Sequence, residues 1–146
     1  MFNIFRKKQD SHPISQVFSN LSQNQKMSIF IFLSGTICFD GALISRKEEA
    51  LMDEFLSHLG IRAQQCDNYL STYGVERTLT DLQMLNENQK RLLVLMSHQL
   101  ILSGSHLSEN KIMATATLFE EIGIDTDEYM YIVQKSQALM KHFSGK

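Results

Sequence analysis

The chain has 146 residues, of which 43% are hydrophobic and 21% charged, with a formal charge of −2; this is the composition of one ordinary globular domain. The charge argues against a nucleic-acid binder that works by massed positive potential, and two cysteines make no disulfide framework. One proline and seven glycines are too little turn chemistry for an all-β fold, so the expected class is all-α.

Residues 1–19 read as an N-terminal tail, partly helical or disordered. Its start, Met1-Phe2-Asn3-Ile4-Phe5-Arg6-Lys7-Lys8, puts the cations after a very short apolar stretch, the reverse of a signal peptide. Phe2, Phe5, Arg6, Lys7 and Lys8 suit at most a weak contact with an anionic membrane surface, and the expected location is the cytoplasm. Residues 20–146 read as one helical domain: a first repeat over 20–62, short connecting helices over 63–84, and a second repeat over 85–146.

The first helix of the domain is expected over about 23–39, started by the capping-box spacing of Ser22 and Gln25. Its apolar run, Met27 to Phe39, is 13 residues long, short of the roughly 20 needed to span a bilayer. Ile29 to Leu33 also has β-propensity, but the Leu-rich matching segment later in the chain favours helix. After the turn Asp40-Gly41, Ser45 and Glu48 have capping-box spacing, and Leu51, Met52, Phe55, Leu56 and Leu59 form an apolar stripe. Gly60 stands where a left-handed residue would end that helix. Two short helices, about 63–73 and 76–84, are expected to break at Gly74.

The pattern then returns. Leu21-Ser22-Gln23-Asn24-Gln25-Lys26 recurs as Leu85-Asn86-Glu87-Asn88-Gln89-Lys90, and Leu59-Gly60-Ile61 as Ile122-Gly123-Ile124, with an offset of 64 residues at the start and 63 at the end. The helix over about 87–102 is apolar nearly all round, from Leu92 to Met96, like its counterpart. Helices without a polar face are surrounded by others, so these two are expected to lie together at the centre. Ile112, Met113, Ala116, Phe119 and Ile122 repeat the stripe, and a last helix is expected from the Asp125–Glu128 box to about Phe143, with Tyr129, Ile132, Val133, Leu139, Met140 and Phe143 inward. About seven helices result.

Catalytic signals are weak. The chain lacks G-x-S-x-G, H-E-x-x-H, CxxC and a phosphate-cradling glycine loop. His12, His58, His98, His106 and His142 fall at no metal-ligand spacing; His98 alone is expected to face the interior, as a core histidine. Cys38 and Cys66 read as packing residues. The eight methionines fall mostly on helix stripes and read as core, with an adaptable groove as the alternative. Acidic residues around Glu120, Glu121, Asp125, Asp127 and Glu128 complement a helix dipole, or form a patch for a basic partner. The Asp40-Gly41 turn precedes an acidic helix, so Asp40 and Glu49, with Glu48 beside them, are candidate ligands of a hard divalent cation such as Ca²⁺ or Mg²⁺. The alternative is a plain turn pair and a capping box, the latter already using Glu48.

A buried helix, the turn Phe39-Asp40-Gly41, a capped acidic helix (Ser45, Glu48, Glu49, Leu51) and a closing Leu59-Gly60-Ile61, partly repeated from Ser103-Gly104 to Ile122-Gly123-Ile124, resemble the TerB (tellurite-resistance) superfamily over about residues 20–143. The resemblance implies an all-α fold of about seven helices with a pseudo-two-fold axis. It also implies a non-enzymatic bacterial module tied to stress response, with a protein partner and a divalent cation (Ca, Mg, Mn or Zn) at Asp40, Glu49 and Glu48. Two departures stand in the second copy: Ser103 replaces an acid, and Lys111-Ile112 replaces Glu48-Glu49. The alternative function is a binding module for a hydrophobic small molecule between the central helices.

Overall fold

Each well-capped helix begins where a side chain accepts the free N–H groups of its first turn. The computed structural model describes residues 12–38, 44–104 and 109–136, and among them seven α-helices and no β-strand. The first, α1 (Pro13–Val17), has proline at its start and His12 as cap, whose Nδ1 accepts from the Ile14 amide at 3.2 Å. Ile14 and Phe18, four apart and so on one face, are buried in the main core. The core therefore reaches into the segment read as a tail. Gln89 fixes that segment, its Nε2 donating to the Val17 carbonyl at 3.1 Å and to Asn20 Oδ1 at 2.9 Å.

Helix α2 (Gln23–Cys38) starts at the reciprocal Ser22–Gln25 pair. Next, α3 (Arg46–Leu59) starts at the Ser45–Glu48 capping box and ends on Gly60 at φ 71°. The Ile61 amide donates to the Leu56 carbonyl and the Gly60 amide to the Ser57 carbonyl, the two bonds of a Schellman close. Helix α4 (Ala63–Gln83) breaks at Gly74, which adopts φ 83° and ψ 174°, a region that a side chain rarely enters. Two helical pieces meeting at Gly74 are what the sequence predicts.

Helix α5 (Glu87–Ser103) starts at the Asn86–Gln89 box, and every residue from Leu92 to Ser97 is buried. It is the centre of the fold. Helix α2 touches it but packs most extensively against α4, and its outer side is incompletely covered: Phe30, Ile31 and Ser34 are half-buried and Gly35 is exposed. Only one of the two apolar helices is thus surrounded.

Helix α6 (Glu109–Glu120) is followed by a second Schellman close, with Ile124 donating to Phe119, Gly123 to Glu120, and Gly123 at φ 93°. Its inward face differs from the expected stripe. Ala116, Phe119 and Ile122 are buried, but Met113 is 50% exposed while Lys111 and Thr115 are buried. Phe119 meets Phe32 edge-on at 4.9 Å and Tyr129 at 5.4 Å, joining α2, α6 and α7. In α7 (Thr126–Gln134), capped by Asp125, Tyr129 and Ile132 face inward as expected. This helix closes at Lys135; the expected stretch on to about Phe143, with Leu139, Met140 and Phe143, lies outside the described residues. Among the described residues no helix is long and apolar enough to cross a membrane.

Candidate functional site

The most buried charges in the described structure meet where α3 begins, beside the end of α5. Ser45 Oγ donates to the Ser103 carbonyl at 3.1 Å and accepts from the Glu48 amide at 3.1 Å. Glu48 Oε1 accepts from the Ser45 amide at 2.8 Å. Its other oxygen, Oε2, lies 3.6 Å from the Lys111 ammonium of α6, and the two side chains are only 4% and 7% exposed. Gly104 closes the pocket: a Cβ there would come within 3.2 Å of Glu48 Oε2. The missing side chain at position 104 is what lets the α5 terminus approach the carboxylate.

The sequence-predicted ligands are distributed around this junction. Glu48 is buried, caps α3 and pairs with Lys111. Glu49 is exposed on the next position of the helix. Asp40 lies outside the described residues, as do Gly41, Ser108 and the segment holding Phe2, Phe5, Arg6, Lys7 and Lys8. Among the described residues no three His, Cys, Asp or Glu side chains converge as a metal cluster. A cation at Glu48 Oε2 would have to compete with an ammonium already held there. Sequence reasoning noted Lys111 only as a departure; the signal that it pairs with Glu48 was its offset of 63 residues from that carboxylate.

A second polar group joins α2 to both pieces of α4. Asp81 Oδ2 accepts from Tyr69 Oη at 2.5 Å and from Ser28 Oγ at 2.8 Å, while Arg77 Nε is 3.5 Å from Oδ1. Burial, then the hydrogen bond to Asp81, pushes the Tyr69 phenol above its ordinary range, so it stays a neutral donor. Tyr69 and Asp81 flank Gly74 in sequence, and their bond holds the two helical pieces at a fixed angle.

Among the described residues the histidines form no ligand set; His106 and His142 lie outside them. His12 and His58 stack with centroids 3.7 Å apart. Burial, and next the His58 charge, lower the His12 pKa, with Glu54 opposing. His98, expected as the one core histidine, is only half-buried, as is His58; burial lowers its pKa, and its Nδ1 has no hydrogen-bond partner. Cys66 is buried and its thiol is pushed up to about 11, chiefly by burial. That makes it a neutral packing residue.

Besides a shallow polar groove along Ser15, Ser19, Lys26 and His58, two more apolar clefts are found among the described residues. One, about 290 Å³, is bounded by His12, Ile14, Leu51, Phe55, Leu92 and Met96. The other, about 380 Å³, lies against the uncovered side of α2 and is walled by α4 and Leu118 of α6. Both sit beside a central helix rather than between α2 and α5. No family model, curated protein or solved structure matches the chain.

Proposed function

We propose that the chain is a TerB-like helical module of a bacterial cell that works by engaging a protein partner, in a stress-response setting, and not by catalysis. The observation that carries the reading is the Glu48–Lys111 ion pair. Positions 48 and 111 are counterparts under the 63-residue offset of the two halves. Counterparts touch one another only close to a two-fold axis, so their contact favours two related helical hairpins, α2–α3 and α5–α6. The matched ends agree: Ser22–Gln25 with Asn86–Gln89, and the Leu56–Ile61 close with Phe119–Ile124.

The pair also defines what a cation could do here. Lys111 supplies positive charge to Glu48 from within the chain, which leaves Asp40 and Glu49 as the carboxylates for a divalent ion. Calorimetry of the metal-stripped protein with Ca²⁺, Mg²⁺, Mn²⁺ and Zn²⁺ tests this, alongside Asp40→Asn and Glu49→Gln. Micromolar binding lost in both variants supports a first-half cation site. No heat with any ion removes the metal from the reading and leaves the interaction module. That module is tested by co-purification through size exclusion, where a stoichiometric protein partner supports it. Turnover of a small-molecule substrate by the isolated chain overturns it.

A further inference from the structure

The cleft between α1, α3 and α5 lies where the described chain begins. Its apolar walls are Pro13 and Ile14 of α1, Leu51 and Phe55 of α3, and Leu92 and Met96 of α5, and its volume is about 290 Å³. At roughly 30 Å³ per water-sized group it takes about ten non-hydrogen atoms, room for one phenyl side chain and part of its backbone. His12 borders this cleft, so residues 1–11 join the fold at its rim. They carry Phe2, Ile4 and Phe5, followed by Arg6, Lys7 and Lys8. Phe5 stands seven residues before His12. At about 3.3 Å per residue, the chain between them can turn back over an opening that His12 itself bounds. Among the described residues, Glu54 is the only Asp, Glu, Lys or Arg bordering the cleft, and it is exposed. An aromatic side chain followed directly by three cations matches both the apolar walls and that carboxylate.

We propose that the chain's own residues 5–8 dock on this cleft, with the Phe5 ring seated against Ile14, Leu51 and Met96 and the cations Arg6, Lys7 and Lys8 drawn towards Glu54. Apolar burial supplies most of the hold, since an exposed ion pair contributes little. Phe5 is the occupant rather than Phe2 because it adjoins the cations and closes the shorter loop to His12. Seated there, it covers Ile14 and ties α1 to α3 and α5. The contact lies within one chain and does not depend on the TerB-like reading.

The experiment is nuclear magnetic resonance on the full chain with labelled Ile, Leu and Met methyl groups. Nuclear Overhauser contacts are expected between the Phe5 ring and the methyl groups of Leu51 and Met96. A sample mixing labelled and unlabelled chains separates contacts within one chain from contacts between two. Hydrogen exchange supplies the energetic readout through the Gln16 and Phe18 amides, which bond to the His12 and Ile14 carbonyls. Phe5→Ala is expected to speed their exchange about tenfold, the effect of losing one partly buried ring; Phe2→Ala, a control of the same composition, is expected to change it less than threefold. The proposal is overturned if the Phe5 ring touches neither methyl set, if the contacts form only between chains, or if Phe2→Ala matches Phe5→Ala. Sedimentation with phosphatidylglycerol vesicles that Phe5→Ala abolishes, without those methyl contacts in the free protein, overturns it in favour of a lipid surface.

Discussion

Replacing Lys111 by methionine removes the ammonium from a carboxylate that water hardly reaches, since the Glu48 side chain is 4% exposed. An exposed pair of the same charges would contribute at most about 1 kcal/mol. Breaking a buried one leaves an uncompensated charge and costs about 3–5 kcal/mol. The 3.6 Å separation is long for a charge-assisted hydrogen bond, so the lower end, about 3 kcal/mol, is expected here. For a chain of this length that lowers the unfolding temperature by roughly 10 °C. Glu48→Gln preserves the acceptor for the Ser45 amide, which lies 2.8 Å from Oε1, and so isolates the charge from the cap. The double variant Glu48→Gln/Lys111→Met has neither buried charge and is expected to recover all but about 1 kcal/mol of the loss. Urea unfolding of the four proteins closes the cycle, with a coupling of about 2 kcal/mol or more. A coupling below about 0.5 kcal/mol would falsify the buried-pair account and assign Glu48 to capping alone.

Gly104→Ala has no backbone strain to overcome, because Gly104 sits at φ −74° and ψ 163°; among the described residues the tightest contact of an added Cβ is Glu48 Oε2 at 3.2 Å. A loss of about 1–2 kcal/mol is expected, and an unchanged urea midpoint would show that the α5 terminus yields freely. Tyr69→Phe deletes a hydrogen bond to the Asp81 carboxylate and is expected to cost about 1.5–3 kcal/mol; hydrogen exchange should show the loss concentrated in α4, and uniform exchange across the helices argues against a brace at Gly74. His12 accepts from the Ile14 amide through Nδ1 and must be neutral to do so. Its folded pKa lies below the ordinary 6.5, so on acidification the unfolded chain takes the proton first. The stability it confers is complete above that value and is lost as pH falls through 6.5 towards the lowered folded value. His12→Asn keeps a capping acceptor without titrating, so its unfolding temperature should vary less between pH 5 and 7 than that of the wild type; parallel curves refute the assignment.

The sequence-predicted elements that hold are those fixed by local chemistry. Reciprocal Ser22–Gln25, Ser45–Glu48 and Asn86–Gln89 pairs start α2, α3 and α5, and Gly60, Gly74 and Gly123 take the positive φ angles that a side chain resists. These signals act within a few residues, which is why helix ends are legible without tertiary information. The orientation of α6 was not legible for the opposite reason. Periodicity assigned Met113 to the core by its apolarity, yet the structure buries Lys111 and exposes Met113. The deciding partner, Glu48, is 63 residues away. Helix α2 differs for the same reason: an all-round apolar surface predicts an all-round neighbourhood, but its tertiary neighbours leave Gly35 exposed and Phe30, Ile31 and Ser34 half-buried. The apolar residues there border a cleft of about 380 Å³. Local signals thus set where the helices run, while the group to be tested, Lys111, stands where distant contacts decide which side of a helix is inside.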